Sequence, residues 1–274
     1  MSYLDDLFGV GGKTALVTGG ATGIGRMIAE GLAQGGARVL IASRKGADCA
    51  RVADEINAAG PSGSADGFAG DVGTAEGVEA LAAEVARRTD RLHVLVNNAG
   101  ITWGTPLDEF PYPAWEKVFR VNVAGLFELT RLSLPLLERA ASTEDPARVI
   151  NLGSVMGAWP LGDGAYSYSA SKAAVHHLTR ILAKELAGRR ITVNAFAPGP
   201  FPSKMTAFAT GTEEKAARMA AVNPLGRLGV PEDAAGAALF LSSRAGAYVT
   251  GAILPLDGGI GVQTGPDLFE EGRD

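Results

Sequence analysis

Short apolar or β-branched runs alternate along this chain with longer stretches whose hydrophobic positions recur at helical spacing. The runs at 14–18, 38–42, 67–70, 92–97, 148–152, 191–197 and 252–256 read as strands. Between them, 23–34, 47–59, 75–88, 113–139, 166–187 and 232–242 carry helix patterns. Leu92-His-Val-Leu-Val96 is nearly continuous in apolar character, as a strand buried on both faces must be. Strands and helices in strict turn predict an α/β fold, a doubly wound parallel sheet of seven strands with helices on both faces.

No Pro/Gly/Ser linker divides the pattern, so residues 1–274 read as a single domain with halves at about 1–150 and 151–274. Segment 198–224 interrupts the alternation. It follows the carboxyl end of a predicted strand, where open α/β sheets bind ligands, and therefore reads as a lid. Segment 264–274 is polar and acidic and is expected either to be disordered or to pack on a neighbouring subunit.

Composition narrows the picture. With 46% hydrophobic and 20% charged residues, the chain can bury a sizeable core. A net charge of -5 and the lack of a long basic run argue against a nucleic-acid partner. No apolar stretch has the roughly 18 residues needed to span a membrane, and the start lacks the pattern of a secretory signal. Cys49 is the single cysteine, so no intrachain disulfide can form, and a cytoplasmic protein is expected. Cys49 itself falls in a predicted helix and reads as a small core or surface thiol rather than a reactive one. No His/Cys/Asp cluster has metal-ligand spacing, so no metal is expected.

The first predicted strand runs into Gly19-Gly-Ala21-Thr22-Gly23-Ile24-Gly25 and then a helix. Glycines permit a tight turn and close backbone approach, and a helix N-terminus favours a pyrophosphate. The spacing is G-x-x-x-G-x-G rather than G-x-G-x-x-G, but the strand-turn-helix context makes it a Rossmann-type dinucleotide turn. The second strand ends at Ser43-Arg44-Lys45, with no acid to take a ribose 2′-hydroxyl. Ser43 can donate a hydrogen bond and Arg44 offers a planar fork for a 2′-phosphate, so NADP(H) is expected over NAD(H).

Far downstream, Tyr168 and Lys172 stand four residues apart, on one face of a predicted helix. A phenol beside an ammonium group ionises more readily, which makes it a candidate proton donor and acceptor. His176 and His177 lie further along the same helix and read as a packed or solvated pair. Trp103 and Trp159 are candidates for the substrate mouth, or equally for ordinary packing.

With these motifs in order, the chain resembles the short-chain dehydrogenase/reductase family over essentially its whole length. Thr18–Gly25 matches that family's cofactor turn, and Asn97-Asn98-Ala99-Gly100 its fourth-strand motif. Asn122, Ser154, Tyr168 and Lys172 match its catalytic four. Pro198-Gly199 and Leu254-Pro-Leu-Asp257-Gly-Gly259 match its later landmarks. The resemblance implies that Asp71 and Val72 hold an adenine ring, and that Asn98, Ala99 and Gly100 line the nicotinamide ribose. It also implies that Pro198, Gly199, Phe201 and Ser203 meet the nicotinamide carboxamide, and that Tyr168 and Lys172 touch the cofactor as well as the substrate. Ser154 follows Gly153 where many members have a second serine. A narrower resemblance, to 3-oxoacyl reductases of the rhamnolipid-biosynthesis type, rests on Trp103-Gly104, on Pro198 to Met205 and on Gly246 to Gly251.

These resemblances imply a carbonyl reductase in which Tyr168 protonates the forming alkoxide and Ser154 hydrogen-bonds the same oxygen. Lys172 would lower the phenol's pKa and bind the ribose, and Asn122 would hold a water that links Lys172 to solvent. The expected substrate is a small carbonyl or alcohol, with a 3-oxoacyl thioester foremost. A sugar acid or an alicyclic secondary alcohol, oxidised rather than reduced, is the alternative. A non-catalytic nucleotide-sensing scaffold is the alternative from another class. Family likeness also implies a homo-oligomer, a tetramer.

Overall fold

The computed structural model of the protein describes residues 2–203 and 205–263, so the acidic segment 264–274 lies outside the described residues. In chain order the elements are α1 (Tyr3–Phe8), β1 (Thr14–Thr18), α2 (Gly23–Gln34), β2 (Arg38–Ser43), α3 (Gly46–Ala58), β3 (Ser64–Ala69), α4 (Ala75–Arg88) and β4 (Val94–Asn97). They continue with α5 (Tyr112–Phe119), α6 (Leu126–Ala140), β5 (Ala147–Leu152), α7 (Tyr166–Leu186) and β6 (Ile191–Pro198). The chain then forms α8 (Ala207–Thr210), α9 (Glu213–Ala221), α10 (Pro231–Ser242) and β7 (Ile253–Leu256).

The seven strands pair in parallel in the order β3-β2-β1-β4-β5-β6-β7. Strand residues alternate between two separate cores, although both faces are buried. Ala15, Val17, Val39 and Ile41 face α2, α3 and α10 through Ile28, Leu32, Val52 and Leu241. Leu16 and Leu40 face the opposite way, toward α4, α6 and α7 through Leu81, Val85, Leu129 and Leu182. The direction of strand order reverses between β1 and β4, and the loops leaving their carboxyl ends diverge there to leave a crevice.

Three local expectations change. Strand β3 starts at Ser64, not at 67, because its first half is a polar edge strand whose pattern hides it. Its Gly67 passes so close under α3 that a Cβ would stand 2.1 Å from the Cys49 carbonyl oxygen. The predicted helix 113–139 is not continuous: a π-helical turn, Arg120–Gly125, separates α5 from α6. Such turns hold an inserted residue and recur at functional sites. The lid segment 198–224 is partly helical, with α9 capped by the Thr212 hydroxyl, which accepts from Lys215 N at 3.3 Å. Cys49 is fully buried and its thiol meets the Ser43 hydroxyl at 3.0 Å.

At the amino end of the sheet, Arg148 is buried and donates to the Leu241 and Ser243 carbonyls at 3.2 and 2.7 Å. Asp145 lies 2.8 Å from its guanidinium and 2.7 Å from Lys13 Nζ. This ionic knot ties β1, β5 and the end of α10 together on the side away from the crevice.

Candidate active site

The glycine turn leaves β1 in a conformation that few other residues adopt. Gly19 has φ +65° and Gly23 φ +52°, in the left-handed region where a side chain is strained. A Cβ on Gly25 would stand 2.3 Å from Asn98 Nδ2, and one on Gly23 3.0 Å from Ser203 Cβ. The lid base therefore sits directly over the turn. Helix α2 starts with no acidic residue in its first turn, and the Thr22 hydroxyl makes no capping bond. Its N-terminal amide groups are thus available to an anion.

Thr18 joins the two sides of the crevice. Its hydroxyl accepts from Asn98 N at 3.1 Å and Ala99 N at 3.0 Å, and it donates to the Val96 carbonyl at 3.3 Å. Asn98 Nδ2 returns a bond to the Thr18 carbonyl at 2.8 Å. Motif reasoning placed Asn98 and Ala99 at the site but missed Thr18 as the residue that holds them there.

A cleft of about 160 Å³ is lined by Gly19, Ser43, Arg44, Asp71, Val72, Ala99, Gly100 and Ile101, so residues expected at the adenine end and at the nicotinamide ribose border one cleft. Arg44 and Lys45 are exposed, and among the described residues neither forms an ion pair. Asp71 turns one carboxylate oxygen inward, accepting from Gly73 N at 2.8 Å. The Ser43 hydroxyl is engaged locally with Cys49 and Lys45, so its hydrogen bonding is less open than its position at the strand end implied. Ala21 and Phe201 are buried, and Pro198, Gly199 and Ser203 continue from β6 into the lid base. A glycine cradle, a helix N-terminus without acidic side chain or cap, and an exposed guanidinium fit a dinucleotide bearing an extra phosphate. A larger cavity of about 430 Å³ lies between the lid base and β7, lined by Pro200, Phe201, Asn223, Leu225 and Asp257. Asn122, Ser154, Tyr168 and Lys172 do not reach it.

Those four residues converge on the other part of the crevice. Ser154 stands two residues past β5 in extended conformation, and its hydroxyl accepts from Met156 N at 3.2 Å, which leaves the hydroxyl hydrogen free to donate. Tyr168 and Lys172 are on α7, one turn apart as their spacing required, with Nζ 5.5 Å from the phenol ring centre. Lys172 is 5% exposed and donates to the Leu152 carbonyl at 2.6 Å. Burial pulls its pKa down to about 8. Burial pushes the Tyr168 phenol above its ordinary value, and the Ser154 hydroxyl beside it pulls the other way. Desolvation is the larger influence on the phenol here, and it acts against the acidification expected from Lys172.

Asn122 lies in the π turn and is buried. Its Oδ1 accepts from Ile101 N at 2.9 Å, while Nδ2 donates to the Ile101 carbonyl at 2.9 Å and the Ser171 hydroxyl at 3.0 Å. Ser171 in turn donates to the Tyr168 carbonyl at 2.7 Å. The Asn122 side chain is therefore a clamp between the β4 loop and α7, through a serine that motif reasoning passed over.

His176 is buried and His177 exposed, a packed and a solvated histidine as expected. Trp103 and Trp159 are partly exposed on the loops after β4 and β5, which Thr105 N joins to the Gly164 carbonyl at 3.2 Å. Among the described residues no group of His, Cys, Asp and Glu is placed to hold a metal ion.

The family model described as Enoyl-(Acyl carrier protein) reductase matches residues 19–261. The chain is 46% identical over 252 residues to the rhamnolipids biosynthesis 3-oxoacyl-acyl-carrier-protein reductase of Pseudomonas aeruginosa, covering 92% of this chain and 97% of that protein. It is 41% identical over 254 residues to the galactitol 2-dehydrogenase (L-tagatose-forming) of Cereibacter sphaeroides, covering 92% and 96%. In structure it is similar to the Pseudomonas aeruginosa RhlG/NADP active-site complex, with a TM-score of 0.89, 46% identity, and coverage of 93% of this chain and 99% of that one. With its glycine turn, Tyr-x-x-x-Lys helix and seven-stranded parallel sheet, the chain belongs to the short-chain dehydrogenase/reductase family and is an oxidoreductase.

Proposed function

We propose that this protein is an NADP(H)-dependent carbonyl reductase acting on a 3-oxoacyl thioester, with Asn122, Ser154, Tyr168 and Lys172 as its working residues. The observation that carries this reading is the convergence of the Ser154 hydroxyl, the Tyr168 phenol and the buried Lys172 ammonium group on the crevice beside the glycine cradle. NADPH supplies the hydride when bound. Tyr168 gives its proton to the alkoxide as it forms, and Ser154 donates a hydrogen bond to the same oxygen. Lys172, held by the Leu152 carbonyl, brings positive charge toward both. Asn122 and Ser171 lock α7 against the β4 loop so that these groups keep their spacing.

The substrate class is supported by the relatives' activity and by the apolar rim. Trp103, Trp159, Leu161, Met205 and Phe208 expose apolar surface on the segments that follow β4, β5 and β6. An acyl chain matches such a rim better than a polyol does. Oxidation of a sugar alcohol is the second reading, favoured by the likeness to galactitol 2-dehydrogenase. The relative known as an NADP complex and the free Arg44 support NADP(H) over NAD(H). A cytoplasmic homotetramer completes the proposal. It is supported by exposed Phe127 and Ile181 on α6 and α7, by Tyr248 beside edge strand β7, and by the lack of any described helix long and apolar enough to cross a membrane. Turnover of acyl-thioester, sugar and alicyclic ketones is to be compared with NADPH and with NADH. Selective reduction of the thioester with NADPH is expected, and preference for a sugar substrate would transfer the assignment to the second reading. Cofactor binding without turnover of any ketone or alcohol would favour a sensor. Sedimentation as a monomer at working concentration would remove the tetramer.

A further inference from the structure

The imidazole of His176 fills the space behind Ser154, and the residues on both sides of that serine are shaped around it. A Cβ on Gly153 would stand 2.2 Å from His176 Nε2, and one on Gly157 2.9 Å from Cε1. Neither position has room for a side chain while the ring is present. This is a physical reason for glycine at 153, where many family members have serine. Ser154 N donates to His176 Nε2 at 3.4 Å. The ring is 5% exposed and lies one helical turn beyond Lys172 and two beyond Tyr168 on α7. A nitrogen that accepts a hydrogen bond carries no proton, so the ring's proton is on Nδ1.

We propose that His176 is a positioning residue for carbonyl reduction: its Nε2 accepts the Ser154 amide and joins the serine's turn to the helix that carries Tyr168 and Lys172. The Ser154 turn is otherwise held by Gly153 N on the Phe196 carbonyl at 2.8 Å, by Gly157 N on the Ser154 carbonyl at 2.9 Å, and by Lys172 Nζ on the Leu152 carbonyl two residues before it at 2.6 Å. The first two tie it to β6 or to itself, and the third reaches only the strand end before the serine. The imidazole adds the contact from α7 to the Ser154 amide itself, and so helps to fix where its hydroxyl lies relative to the phenol. Burial, with Arg180 and Lys172 nearby, holds the ring's pKa down to about 4, which keeps it a neutral acceptor through the working pH range.

This inference rests on the reading of Ser154 as the group that binds the substrate oxygen, and the test separates the two. His176→Met removes the acceptor at similar volume, whereas His176→Gln returns an acceptor oxygen near the place of Nε2. Steady-state ketone reduction is compared for both, together with Ser154→Ala and a fluorescence titration of NADPH. Expected are an approximately tenfold fall in kcat for His176→Met with little change in cofactor affinity, recovery to within about threefold in His176→Gln, and a larger loss in Ser154→Ala. Equal loss in the Met and Gln variants, no loss in either, or a change in KM alone would overturn the positioning role. Normal turnover by Ser154→Ala would instead overturn the reading of Ser154. Should the variants not fold, nitrogen-detected NMR of the wild-type protein decides: with three histidines in the chain, the spectrum can be assigned. His176 is expected as the Nδ1–H tautomer, and an Nε2–H or charged ring at pH 7 refutes the contact.

Discussion

Lys172→Met is expected to abolish ketone reduction while changing the stability of the protein in a pH-dependent direction. The wild-type ammonium group is buried, and its pKa drops from 10.5 to about 8 because solvent is excluded. A tenfold change in proton affinity is worth about 1.4 kcal/mol, so the folded state carries an electrostatic penalty of about 3 kcal/mol while the group is charged in both states. The penalty is fully present below pH 8. Between pH 8 and 10.5 the unfolded chain binds the proton and the folded one does not, so wild-type stability rises with pH across that window. Methionine escapes the penalty but leaves the Leu152 carbonyl without its 2.6 Å partner, a loss of about 1–3 kcal/mol. At pH 7 the variant should therefore be as stable as wild type, or more stable by up to about 2 kcal/mol. Its advantage should then shrink by about 2 kcal/mol between pH 8 and 9.5. Urea unfolding of both proteins at pH 7, 8, 9 and 9.5, followed by circular dichroism, measures the difference directly. A variant that is less stable by the same amount at every pH would refute the argument that Lys172 is held charged against its own desolvation.

Tyr168→Phe removes the proton donor with little change in volume. Reduction should fall by a factor of about 10²–10⁴ while NADPH affinity, read by fluorescence titration, stays near wild type. Arg44→Asp replaces an exposed cation at the end of β2 with an anion. It should weaken NADPH by roughly tenfold or more and NADH far less, and equal effects on the two cofactors would remove Arg44 from phosphate binding. Arg148→Met strips the buried knot at the far end of the sheet, leaving the Leu241 and Ser243 carbonyls without their donor and Asp145 with Lys13 alone. A loss of about 2–4 kcal/mol in unfolding free energy is expected, with kcat of the folded enzyme unchanged because the knot lies away from the crevice.

Much of this protein was legible in its linear pattern. The alternation of apolar strands with helical segments predicted the parallel sheet because each element must bury a face, and that demand acts on neighbouring residues. The glycine turn and the Tyr168–Lys172 spacing could be read because each is one local conformation written in consecutive residues. The failures have local causes too. Polar edge strand β3 lost its alternation, and the π turn around Asn122 has no periodicity of its own to betray it.

What the sequence by itself determined, then, was the alternation of strands and helices, the crevice at the switch point and the candidate reactive side chains. Only the tertiary structure decided how those side chains are held and what acidity they have. Thr18 meets Asn98 across 80 positions, Asn122 meets Ser171 across 49, and Ser154 meets His176 across 22. No periodicity connects residues that far apart. The same holds for charge: a phenol one turn from an ammonium group reads as acidified, yet burial raises Tyr168 and lowers Lys172 together. Desolvation depends on everything packed around a group, so it exists only once the chain has folded.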